Sequence, residues 1–151
     1  YAEFFAATDH RNFQVILAGN PFPGQDPGTV ARDLLPVMQA AKPRPALTFT
    51  YAAPVEQPRP DYRLVLVADP ALNLNSYSVC SGTTRFRENQ PGRFYIWAVY
   101  CRNDQVMSET TAWTAATGPN DPRVSELFRE LFPVVFNDSQ MYRQRGSKFR
   151  R

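Results

Sequence analysis

The sequence predicts an α+β fold with the element order β-α-β-β-β-β-α: a mostly antiparallel sheet with two helices packed on one face. Three observations predict it. Several short runs alternate apolar and polar residues with the period of a strand. Two Asp-Pro dipeptides, at Asp26-Pro27 and Asp121-Pro122, precede apolar residues at helical spacing. Asn103-Asp104 separates two long strand-like runs, as in a tight hairpin.

Residues 1–12 form a lead-in. Phe13, Val15 and Leu17 alternate with Gln14 and Ile16, a short strand that ends at Gly19. Asn20-Pro21-Phe22-Pro23-Gly24 is then a turn-rich loop. Asp26 offers an oxygen to the first amides of a helix, and Pro27 occupies a position where a missing N–H has no consequence. Val30, Leu34, Val37, Met38 and Ala41 follow at helical spacing, and Pro36 predicts that this helix is kinked or short.

Leu47, Phe49 and Tyr51 alternate with Thr48 and Thr50 in a second strand, followed by a link with Pro54, Pro58 and Pro60. Tyr62, Leu64, Leu66 and Ala68 alternate with Arg63, Val65 and Val67 in a third. Residues 69–92 read as a long irregular stretch, uncommon in a small domain unless something ties it down or uses it.

The hairpin runs from Phe94 to Arg102 and from Gln105 to Thr114. A two-residue turn would set Phe94 opposite Trp113, Ile96 opposite Thr111 and Tyr100 opposite Met107. Tyr95, Trp97, Val99 and Cys101 would then meet Ala112, Thr110, Ser108 and Val106 on the other face. Both faces are largely apolar, which predicts a central hairpin covered on both sides. Val124, Leu127, Phe128, Leu131, Phe132 and Val135 form a wide helical stripe, with Arg123, Glu126, Arg129 and Glu130 opposite. Pro133 bends or ends that helix.

A chain of 151 residues is expected to form one domain. Its boundaries are drawn at residues 1–140, with residues 141–151 a basic, mobile tail. The formal charge of +3 divides unevenly. Arg143, Arg145, Lys148, Arg150 and Arg151 lie in the tail with no acid, so residues 1–140 carry 12 basic and 14 acidic side chains. A mildly acidic body argues against a nucleic-acid interface. The tail is a candidate contact for an anionic surface or an acidic partner. No run approaches the roughly 18 apolar residues of a membrane span.

Cys80 and Cys101 are the only cysteines. A structural disulfide between them would tie down the long irregular stretch, and two buried thiols are the alternative. Their spacing is not that of a redox Cys-x-x-Cys pair. The one histidine, His10, neighbours Asp9, but adjacent residues of an extended chain point to opposite sides. One His and two distant Cys make no zinc site, and neither a phosphate-binding glycine loop nor a Gly-x-Ser-x-Gly elbow occurs. No metal, cofactor or catalytic group is therefore expected. Glu109 is the one candidate general base, placed mid-strand on the Phe94, Ile96 and Tyr100 face; contact with solvent or an Arg partner is the bland reading. Tyr95 and Trp97 are candidate partner-binding residues if two helices leave their face uncovered. Asn137-Asp138-Ser139 matches a glycosylation acceptor.

Gly19-Asn20-Pro21-Phe22, Tyr62-Arg63-Leu64-Val65-Leu66, Cys80 and Ala98-Val99-Tyr100-Cys101 form one set of recurring marks. Asp121-Pro122-Arg123 leading to Leu131-Phe132-Pro133 completes it. Over about residues 13–133 the chain resembles a group of small exported bacterial proteins that have no assigned activity. The resemblance implies a periplasmic or other envelope setting and the disulfide. The expected function is a non-enzymatic accessory or binding domain for a protein or other envelope component. It would use Tyr95, Trp97, Asn20 and Phe22, with the basic tail as an electrostatic aid. The alternatives are a small-molecule or lipid carrier with a pocket between sheet and helices, and a small hydrolase or isomerase using Glu109.

Overall fold

The computed structural model describes residues 11–41, 47–52, 62–90, 92–136 and 147–150. The elements in chain order are β1 (Arg11–Ala18), α1 (Pro27–Ala41), β2 (Leu47–Thr50), β3 (Tyr62–Ala68) and α2 (Ser76–Cys80). They continue with β4 (Arg93–Arg102), β5 (Gln105–Ala115), α3 (Pro122–Val135) and β6 (Ser147–Arg150). The α+β class and the expected order of the long elements hold. The short helix α2 lies inside the stretch read as irregular, and β6 lies in the basic tail. Asp9, His10, the Asn137-Asp138-Ser139 triplet, Arg143, Arg145 and Arg151 lie outside the described residues.

One six-stranded sheet has the order β2-β1-β3-β4-β5-β6. It is mixed rather than purely antiparallel, although the longest pairings are the antiparallel ones. β1 pairs parallel with both β2 and β3, and β5 pairs parallel with β6. Only β3–β4 and β4–β5 are antiparallel. The cause is α1. A strand–helix–strand unit carries the chain back to the end of the sheet where it began, so β2 enters in the direction of β1.

Both long helices start as their Asp-Pro dipeptides dictate. Asp26 accepts from the Thr29 amide at 2.9 Å, and Asp121 accepts from the Arg123 amide at 3.0 Å. α1 continues through Pro36 to Ala41 rather than stopping short. Pro36 is exposed, so the helical hydrogen bond it removes is lost on the solvent side. α3 includes Pro133 and closes at Phe136, whose amide donates to the Phe132 carbonyl at 3.0 Å.

α1 and α3 cover one sheet face. Leu34 and Met38 of α1 and Leu127, Phe128, Leu131 and Phe132 of α3 pack on Phe13, Leu64, Leu66, Phe94, Ile96 and Tyr100. A ladder of rings crosses this layer: Phe22 on Phe94 at 5.4 Å, Phe94 on Phe128 at 5.9 Å and Phe128 on Phe132 at 5.3 Å. The edge strand β2 is closed by α1, since the Phe49 amide donates to the Gln39 side-chain oxygen at 2.8 Å.

The other face carries a second apolar layer of Val65, Val67, Leu74, Val79, Cys80, Trp97, Val99 and Cys101. The chain between Ala71 and Cys80 covers it. Cys80 and Cys101 are joined by a disulfide with a Cα–Cα distance of 5.5 Å, which fastens α2 to β4. Arg63 reinforces this from β3, donating to the carbonyls of Cys80 and Asn103. The expected uncovered patch is therefore corrected: Trp97 is only 7% exposed, roofed by the long loop itself.

The hairpin turn falls at Asn103-Asp104 as expected, with Asn103 at φ +51°. Its register does not. Cys101 faces Val106, but a β-bulge between Tyr100 and Cys101 then shifts β5 by one residue, so Tyr100 faces Ser108 and Ile96 faces Ala112. Phe94 meets Thr114 rather than Trp113. A one-residue slip moves every later side chain to the opposite face. Glu109 thereby pairs with Val99, on the face of the disulfide, which corrects its placement beside Phe94 and Ile96. The slip also brings the Ser108 hydroxyl under the end of α3, where it donates to the Val135 carbonyl.

Candidate binding groove

Parallel strands β1 and β3 end side by side, and from β1 the chain turns away toward α1 and β2 while β3 lies on its other flank. The carboxyl ends of parallel strands at such a divergence form a natural crevice. Here the crevice is shaped by the loop after β1. Asn20 folds it. Its side-chain oxygen accepts from the Phe22 amide at 3.0 Å, and its side-chain N–H donates to the Gln25 carbonyl at 3.0 Å. The Gln25 amide donates to the Phe22 carbonyl at 2.9 Å, closing the turn. Gln25 then reaches across to donate to the Thr117 carbonyl at 2.8 Å. Phe22 is 6% exposed and stacks on Phe94, so the loop is nailed to the core by one ring.

The result is a groove of about 430 Å³ whose wall is Pro21–Gln25 and whose far side is Gly92, Arg93, Ala116 and Thr117, with Asn89 between. That volume is in the range of small-ligand sites, and the lining is apolar with a few polar groups, as such sites are.

Beside the groove lies a buried charged cluster. Asp69 follows β3, is 3% exposed and has φ +46°, a sparsely populated conformation for a residue with a Cβ. Its amide donates to the Tyr95 carbonyl at 3.2 Å, and its carbonyl accepts from the Arg87 amide at 2.9 Å. One carboxylate oxygen accepts from the Asn89 side chain at 2.6 Å. Asn89 also donates to the Pro21 carbonyl at 3.4 Å, linking the cluster to the groove loop. The other carboxylate oxygen has no hydrogen-bond partner and lies 3.8 Å from an Arg93 terminal nitrogen. Burial pushes the Asp69 carboxyl above its ordinary range; the Asn89 hydrogen bond and the charges of Arg93 and Arg87 pull the other way. Arg87 and Arg93 both lie against the Tyr95 ring, 5.0 and 4.8 Å from its centroid.

Of the residues singled out in the sequence, Asn20 and Phe22 belong to the groove, one as its brace and one as its floor. Tyr95 is half-buried under the two arginines, and Trp97 is buried. Cys80 and Cys101 are bonded to each other. Glu109 is half-buried at mid-sheet, away from the groove. Lys148 and Arg150 fall on β6, paired parallel to β5. Sequence reasoning missed Gln25, Asp69, Asn89 and Arg93. A signal existed for Asp69. Asp69-Pro70 is a further Asp-Pro of the chain, and of the three it alone directly follows the last residue of a strand and opens no helix. Among the described residues, no three His, Cys, Asp or Glu side chains converge as metal ligands. Comparison with protein-family models, with curated proteins and with solved structures finds no match to this chain.

Proposed function

We propose that this chain is a non-catalytic binding domain of the bacterial cell envelope, and that the groove over Phe22 takes part of an envelope component. The observation that carries the reading is the bracing of the groove wall. Asn20 folds the loop, Gln25 ties it to Thr117 and Phe22 anchors it in the core, so the cavity is shaped before any ligand arrives. Preformed shape lowers the entropy that binding must overcome. The disulfide supports an exported setting, because such bonds persist in oxidising compartments. It also engages both thiols, which removes them as nucleophiles. No described helix is long and apolar enough to cross a membrane.

The carrier reading is less well supported. Helices and sheet meet through side chains such as Leu34, Met38, Phe94 and Phe128, each fully buried, and the groove opens at the end of the sheet instead. A Glu109 enzyme is weaker still, since Glu109 faces the disulfide side at mid-sheet.

Site-specific photocrosslinking in intact cells tests the reading. A benzoylphenylalanine at Pro23, on the groove wall, is expected to give discrete adducts. The same residue at Asp104, in the hairpin turn, is expected to give none. Equal labelling from both positions, or none from Pro23, would remove the groove as the site.

A further inference from the structure

Arginine carries five N–H donors, and a buried guanidinium normally finds acceptors for them. Two other described arginines find acceptors through their terminal nitrogens. Arg63 donates to two carbonyls and Arg102 to Gln105. Arg93 differs. Its side chain is 23% exposed and the residue is one of those that line the groove, yet its guanidinium makes no hydrogen bond. Its Nε is buried without a partner, its charge is met only by Asp69 at 3.8 Å, and its flat face rests on Tyr95. Arg87 repeats the pattern on the same ring, its Nε also buried and unpartnered.

The charge count points the same way. Two guanidiniums face one carboxylate, and that carboxylate is hydrogen-bonded to Asn89 rather than to either arginine. The cluster holds a net positive charge beside a groove whose other walls are Pro21, Phe22, Pro23 and Ala116. The side-chain amides nearby are engaged, Gln25 on Thr117 and Asn89 on Asp69 and Pro21. Arg93 is thus the donor left to greet a ligand, and a planar fork fits a carboxylate.

From this we infer that the groove binds a carboxylate carried on an apolar stem, with Arg93 as its counter-ion. The inference rests on the groove reading and names the chemistry of its ligand. Asp69 and Tyr95 hold the guanidinium in place without saturating its donors, and the apolar wall receives the stem.

Titration of the ¹⁵N-labelled protein tests it, with 3-phenylpropanoate and the acetylated tripeptide Ala-Ala-Phe as probes, each as free acid and as carboxamide. The acids are expected to shift the amides of Gly24, Gln25, Gly92 and Arg93, and to bind about tenfold or more tightly than the amides. Arg93→Gln is expected to erase that difference. A tighter tripeptide acid points to a polypeptide carboxyl terminus, and a tighter phenylpropanoate to a free organic acid. Gly24→Trp is the second variant, since Gly24 lines the groove and a Cβ there meets nothing within 4 Å, which leaves room to add bulk at the wall; it is expected to abolish acid binding. If acid and amide bind the groove equally, the carboxylate is wrong and the groove survives. If no probe shifts the groove amides, or Gly24→Trp leaves acid binding intact, both fall.

Discussion

Asp69 concentrates more physical tension than any other described side chain. It is buried, left-handed in its backbone and short of one hydrogen bond. Its carboxyl is raised above the ordinary 3.8, chiefly by desolvation. The folded state therefore favours the protonated acid more than the unfolded state does. The contribution of this group is fully present below the unfolded value and is lost as pH rises through the folded value. Asp69→Asn keeps an acceptor for Asn89 and a side chain that tolerates positive φ. Its stability is expected to depend less on pH above 3.8 than that of the parent, read from urea midpoints across the mildly acidic range; equal slopes would refute the assignment. Gly19 is constrained differently. At φ +82° an added Cβ would lie 2.8 Å from the Phe86 ring. Gly19→Ala is expected to destabilise by about 1–3 kcal/mol in chemical denaturation, strain and crowding together.

Among the elements, the described part of the segment read as irregular, residues 69–90, departs most from its sequence reading. A stretch without long periodic runs acts as a layer, because one disulfide and the Arg63 hydrogen bonds hold it over β3 and β4. The bond spans a sequence separation of 21, for which chain-entropy reasoning gives about 3 kcal/mol. The double variant Cys80→Ala/Cys101→Ala is expected to lose roughly that much. It is also expected to shift tryptophan emission to the red as Trp97 meets water, with far-UV circular dichroism largely retained because α1 and α3 pack on the other face. Unchanged emission would mean that the loop stays down without its tether. The helices were legible beforehand. Asp26 and Asp121 cap them as their dipeptides suggest, and the α3 stripe of Val124, Leu127, Phe128, Leu131, Phe132 and Val135 is buried throughout.

The whole molecule is one sheet between two unlike covers: a helical layer rich in stacked rings, and a loop layer fastened by sulfur. The ring ladder from Phe22 to Phe132 joins the groove wall to the middle of the core. Phe128 is one of its two inner members and fully buried. Phe128→Ala is expected to lose about 3–5 kcal/mol, with fluorescence and circular dichroism falling in one transition. Separate transitions would mean that the groove end and the helical core unfold independently. The groove itself was half legible. Asn20 and Phe22 stand in a Pro- and Gly-rich loop that any reader would mark. Arg93, Asn89 and Asp69 were hidden, since nothing local distinguishes an arginine that has found acceptors from one that has not.

By itself the sequence determined what is local: strand and helix periods, the two capped helix starts, the Asn103-Asp104 turn and the identity of the two thiols. These depend on neighbours within a turn or two, whose spacing is written in the chain. Tertiary structure alone decided the direction of β2, the bulge that moved Glu109 across the sheet, the burial of Trp97 and the meeting of Arg93 with Asp69 and Tyr95. Each is a contact between distant residues, and its outcome turns on which competing pairing buries the most surface while leaving the fewest polar groups unmet.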